Sequence, residues 1–250
     1  KSQLQPKMVE AFNPETARVL RGARAPLDRW SVVVAAAGHA AVVARHEREL
    51  SRMSRELHAA DFAAFDGPDQ EVLFAALREF PRLVLEMFPG AAIFRIAILP
   101  GAMPELLNQA QAVSDRHEIE VAALVRAAGV VYVALLSAKS EAASAVRLPA
   151  ACRDLMSASL GAGARPMIEW CPTALKRDVN VWPLPGSDQA LAEKLKKFFD
   201  PHCILAPGRF LSEEGLKDSH RRRPREQQRR LRSCAAARRR RYSARQPPAS

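Results

Sequence analysis

Apolar and polar positions alternate along this chain with two different periods, and the changes of period mark its elements. The run WSVVVAAA, residues 30–37, is short, valine-rich and closed by Gly38, which predicts a buried strand. HAAVVARHERELSRMSRELHAA then repeats its apolar positions near every 3.6 residues with charges opposite, the pattern of an amphipathic helix. DGPD at 66–69 stops it, and EVLFAALREFPRLVLEMF follows as a second helical segment that Pro81 must break or kink.

AAIFRIAIL predicts another strand, and Pro100, Gly101 and Pro104 turn the chain into the helix ELLNQAQAVSDRH, where an early proline removes only a donor that needs no partner. IEVAALVRAA and VVYVALLSA, separated by Gly129, predict a hairpin. A helix over roughly 140–160 ends at GAGA, and RPMIEW supplies a last strand. The order β, α, α, β, α, β, β, α, β over residues 30–170 predicts an α+β fold: a ferredoxin-like antiparallel or mixed sheet covered by helices.

After Cys171 the text CPTALKRDVNVWPLPGSD has prolines at 172, 183 and 185, which predict an extended connector. Ser187 or Asp188 can cap the helix that follows. Asp200-Pro201 ends that helix, because a residue before proline is driven out of the helical region.

Charge changes this picture only at the end. The net charge of +11 is carried almost wholly by residues 211–250, where thirteen Lys and Arg face four Asp and Glu. The preceding body is close to neutral. Blocks of arginine with almost no large apolar residues predict a disordered tail: an inert tail or frameshift product of GC-rich DNA, an arm that holds polyanions nonspecifically, or a dedicated interaction segment. A single Tyr242 gives that arm no base-stacking platform.

The four cysteines have no CxxC or Cys/His spacing and read as reduced thiols, and no metal site is predicted. No apolar stretch reaches the roughly 20 residues of a membrane span. The opening KSQLQPKMVEAF has no signal-peptide core, and a first residue other than Met reads as text beginning inside a longer protein.

Among candidate residues, Arg95 lies within an apolar strand, where an unpaired guanidinium is costly to bury. It reads as an anchor for a substrate carboxylate, as a cofactor contact, or as a strand-edge arginine paired with a neighbouring acid. Arg126 reads more simply as a paired strand arginine. His39 and His46, seven apart, read as helix-surface histidines, and His202 as a loop residue. Trp182 reads as a docking anchor, since indole buries a large area at small entropic cost.

VNVWPLPGSDQALAEKLKKFFDPHCILAPGRF resembles the C-terminal end of flavoproteins of the vanillyl-alcohol oxidase type, and more narrowly the FAD-binding subunit of bacterial glycolate oxidases. IFRIAILPGAMPELL is similar to that family's Trp-Arg-Leu-Ser-Leu-Pro strand, with Arg95 on the matching arginine. The resemblance extends over about residues 30–211, though its specific motifs lie in the last thirty or so.

It implies an N-terminal connector over 1–29 from an FAD-binding domain outside this text, a ferredoxin-like cap over 30–171, a flavin-facing segment over 172–210 and the basic tail. FAD is the implied cofactor, contacted here by Pro207, Gly208 and Arg209, with Arg95 as the substrate-binding residue and no catalytic residue assigned. Ala206 replaces the family's usual Asn, so a side-chain amide near the flavin is lost. The family's His-rich Gly-Asp-Gly-Asn segment is not found. The implied activity is FAD-linked oxidation of a 2-hydroxy acid such as glycolate, inactive in the isolated chain. The implied partners are a catalytic flavoprotein subunit and an iron-sulfur subunit. The implied location is the cytoplasm, with any contact to the inner membrane made through those partners. From another class, a noncatalytic α+β interaction module with a nucleic-acid-binding tail fits the composition as well.

Overall fold

The computed structural model describes residues 4–21, 25–137, 142–183, 186–201 and 204–205, without the side chains of 142–146, 186 and 187. The chain divides into two compact units, Lys1–Pro183 and Leu184–Ser250.

The first unit is built on a six-stranded sheet. Its strands are β1 (Met8–Phe12), β2 (Ser31–Ala35), β3 (Ala92–Ala97), β4 (Val121–Arg126), β5 (Val130–Leu135) and β6 (Arg165–Trp170), in the order β2-β1-β4-β5-β3-β6. Every pairing is antiparallel. Helices α1 (Pro14–Val19), α2 (Ala40–Glu56), α3 (Gly67–Arg78), α4 (Phe80–Met87), α5 (Met103–His117) and α6 (Ala142–Gly161) connect them. From β3 to β6 the chain runs β-α-β-β-α-β with the second helix-connected strand pair interleaved beside the first, which is the ferredoxin-like arrangement. The fold is α+β.

Period two decides which side chains go where. On one face, Ala92, Phe94 and Ile96 of β3, Val131, Val133 and Leu135 of β5, and Ile168 of β6 pack under Leu106, Ala110 and Val113 of α5 and Leu148, Cys152 and Leu155 of α6. On the other, Phe12, Ile93, Ala122, Leu124 and Ala134 pack under Val19 of α1, Leu73 and Leu77 of α3, and Phe80 and Val84 of α4. Both cores bury their large side chains almost completely.

The segment 1–29, expected as a connector, contains β1 and α1 and so belongs to the sheet. MVEAF is too short to carry a readable alternation, and its place is fixed by polar contacts with a distant strand. Asn13 caps α1 by accepting from Thr16 N at 3.1 Å, accepts from Ala123 N at 2.9 Å, and donates to Val121 O at 2.7 Å. Thr16 Oγ1 donates to Ala123 O at 3.0 Å. These bonds satisfy buried groups on both partners, which makes the β1–α1 turn a fixed part of the fold.

The strand over 30–37 is also corrected: β2 is an edge strand, and Val32 is 68% exposed. A short valine run does not distinguish a central strand from an edge. Gly129 closes the β4–β5 hairpin at φ +93°, a conformation unfavourable to other residues, and a Cβ there would come within 3.1 Å of Ile98 O. The helical segment around Pro81 divides at Glu79, leaving Pro81 in the first turn of α4, where it costs no hydrogen bond.

In the second unit, α7 (Gly186–Phe199) ends at Asp200. Asp200 Oδ1 accepts from Ile204 N and Oδ2 from Leu205 N, each at 3.0 Å, while Lys196 Nζ lies 2.6 Å from Oδ2. The aspartate of the Asp-Pro stop thus ties the chain beyond the helix back to its last turn. Leu191, Leu195 and Phe198, spaced along one side of α7, are 59%, 49% and 79% exposed.

Candidate functional site

Arg95 falls on the face of β3 opposite Ala92, Phe94 and Ile96, and it is exposed. The cost of burial inferred from its apolar surroundings therefore does not arise. Its sequence neighbours Phe94 and Ile96 point into the core beneath α5 and α6, whereas Arg95 and Ala97 lie on the α3–α4 side, beyond the part those helices cover. Arg95 makes no ion pair or hydrogen bond with any described residue.

Register places Tyr132 of β5 directly across from Arg95 on one side and Met167 of β6 on the other. Directly opposed residues share a face, with Cβ atoms about 5 Å apart. Tyr132 and Met167 are both partly buried. Next along this face come Ile93 and, across a register shift in β6, Trp170, which is 50% exposed. Arg95 thus stands between a phenol and a thioether, with an indole beyond on one side and Arg165, opposite Ala97, further along the same face on the other. These three flanking residues were not legible without the register, because their strands read simply as apolar.

A second layer holds Tyr132. The Arg126 guanidinium carbon lies 5.2 Å from the centre of the Tyr132 ring, and Phe80 meets that ring edge-on at 6.4 Å. Arg126 Nε is 3.5 Å from Glu10 Oε1, and Arg126 Nη2 donates to Leu77 O at 3.4 Å. The paired-arginine reading of Arg126 is correct. Glu10 is 7% exposed and its Oε2 has no hydrogen-bond partner; burial raises its pKa and the Arg126 charge pulls it back only in part.

The other sequence candidates stay apart from this face. His39 precedes α2 on the surface, while His46, expected there too, is buried: its Nδ1 donates to Val42 O at 2.9 Å and its Nε2 accepts from Gln5 N at 3.3 Å. Cys152 and Cys171 are free and buried, and desolvation pushes the Cys152 thiol up to about 12. Trp182 is half-buried and its backbone N donates to Asn180 Oδ1 at 3.0 Å. His202, Pro207, Gly208 and Arg209 lie outside the described residues. No cluster of three metal-ligating residues occurs among the described residues.

A dinucleotide needs a glycine-lined loop whose N–H groups converge on its pyrophosphate at a helix N-terminus. Gly161 and Gly163 are close together, but they end α6, where the helix dipole repels an anion. Gly38 before α2, Gly67 at the start of α3 and Gly101 before α5 are each single glycines. The described residues therefore do not fit FAD's pyrophosphate.

With this geometry in view, the architecture can be compared with known proteins. It matches 4-ethylphenol oxidase from Gulosibacter chungangensis, solved in complex with isoeugenol, with a TM-score of 0.55 and 15% sequence identity over 83% of this chain and 48% of that one. The fold is one that an oxidase uses. The present chain spans about half the length of that oxidase. No family model and no curated protein matches the sequence. At this identity the likeness is one of fold, and among the described residues no helix is long and apolar enough to cross a membrane.

Proposed function

We propose that this chain supplies the substrate-facing sheet and the returning C-terminal helix of an FAD-dependent oxidoreductase of glycolate-oxidase type, which oxidises a 2-hydroxy acid such as glycolate. The observation that carries this reading is Arg95: an exposed arginine without a described partner, on the uncovered part of an antiparallel sheet in a fold that an oxidase also uses. In this role Arg95 binds and orients the substrate carboxylate, since a planar guanidinium matches it with two parallel charge-assisted hydrogen bonds.

FAD supplies the hydride chemistry when bound, and its pyrophosphate is held outside the described residues. Residues 172–210 are the flavin-facing segment, with Pro207, Gly208 and Arg209 as its contacts. The exposed Leu191, Leu195 and Phe198 of α7 support this assignment, because an apolar helix face of this kind is a surface for docking. The complete enzyme would include a catalytic flavoprotein subunit and an iron-sulfur subunit, and would be cytoplasmic, with any contact to the inner membrane made through those partners.

The test is to isolate the chain with whatever assembles on it and scan for flavin absorbance. Flavin that co-elutes and bleaches on anaerobic addition of glycolate or another 2-hydroxy acid is the expected result. An assembly without flavin, coupled to salt-sensitive DNA retention that survives removal of residues 211–250, contradicts the reading.

A further inference from the structure

We propose that the face around Arg95 selects 2-hydroxy acids carrying an aryl or branched-alkyl side chain, with Tyr132, Met167 and Trp170 as the specificity-determining residues. This inference rests on the reading of Arg95 as the carboxylate anchor and deepens it.

Arg95 is flanked across both strand pairings by Tyr132 and Met167, and Trp170 lies on the same face beside Ile93. Glu169, the nearest acid along β6, forms no ion pair with it among the described residues. A carboxylate seated on Arg95 can project the rest of its molecule over a phenol, a thioether or an indole. Glycolate has no side chain to cover them. An aryl or branched-alkyl group covers half-exposed apolar surface, and that burial favours binding.

The two sides of the cation also differ in stiffness. Tyr132 is held between the Phe80 edge and the Arg126 guanidinium, so it offers a ring already in place. Met167 is partly buried, and its unbranched thioether adapts to varied shapes. A fixed wall and an adaptable wall beside one cation suit a family of side chains of similar bulk. The discrimination available from such contacts against a ligand lacking the side chain is on the order of tenfold to a hundredfold.

Trp170 supplies a direct readout that needs neither flavin nor turnover. The full chain is titrated with 3-phenyllactate, glycolate and 3-phenylpropanol while tryptophan fluorescence is followed, and ligand saturation-transfer NMR repeats the ranking without relying on the indole. We expect 3-phenyllactate to bind at least about tenfold more tightly than either comparator. The fluorescence change is lost in Trp170→Phe. Met167→Ser weakens 3-phenyllactate more than glycolate, and Arg95→Gln weakens both acids. Equal binding of glycolate and 3-phenyllactate, both dependent on Arg95, overturns the side-chain inference and leaves the carboxylate anchor standing. Acid binding indifferent to Arg95→Gln overturns the anchor and this inference together. Absence of a saturable signal from all three ligands also overturns the inference.

Discussion

Glu10 and Arg126 stand directly opposite each other on β1 and β4, with Arg126 Nε 3.5 Å from Glu10 Oε1. The carboxylate is the more deeply buried partner, so the arginine offsets a desolvation cost that the glutamate would otherwise bear alone. Because burial raises the Glu10 pKa above its ordinary value of 4.5, its contribution to stability is full below the unfolded pKa and is lost as pH rises through the folded one. Arg126→Gln should therefore destabilise the first unit by roughly 1–3 kcal/mol near neutral pH. That cost should fade as the pH is lowered through the raised pKa, in urea melts run across this range.

Asp154 behaves with the opposite sign. The hydrogen bond from His117, and then that from Arg116, hold its pKa below 3.8, each at 2.9 Å. Its stabilisation is present above that value and is lost as pH falls through the folded pKa. The pair is partly exposed, so Asp154→Asn should cost less than about 1 kcal/mol near neutral pH. The difference from the wild type should disappear in strong acid.

Phe80 is fully buried and makes a T-shaped contact with the Tyr132 ring. Phe80→Ala should cost about 3–5 kcal/mol in chemical denaturation, through lost contacts and the cavity left behind. It should also free the Tyr132 ring, visible as broadened or averaged ring signals in NMR.

The purified chain alone should not retain FAD through gel filtration, because the glycines of its described residues form no pyrophosphate cradle. Flavin that co-elutes stoichiometrically with this chain alone would contradict this expectation.

Most of the helices and strands between residues 30 and 170 were legible because their apolar periods are clean and Gly129, Pro81 and Gly161 punctuate them. The β1–α1 segment was not, since Asn13 and Thr16 are tied to β4 by bonds that span more than a hundred residues. The same limit applies to the site. Arg95 stood out in an apolar run, but whether it faced a core or solvent depended on which side of β3 the helices covered. Tyr132, Met167 and Trp170 join it only through strand register, which local pattern does not encode.

Arg95 is proposed to hold a substrate carboxylate and to contribute nothing to holding the fold. The direct measurement compares wild type with Arg95→Gln in the flavin-bearing assembly that contains this chain, recording both melting and kcat/KM for a 2-hydroxy acid. Stability should stay within about 0.5 kcal/mol, as for an exposed residue outside any network. Catalytic efficiency should fall on the order of a hundredfold as the charge-assisted pair is lost. Unchanged kcat/KM, or a large loss of stability in its place, would contradict the account.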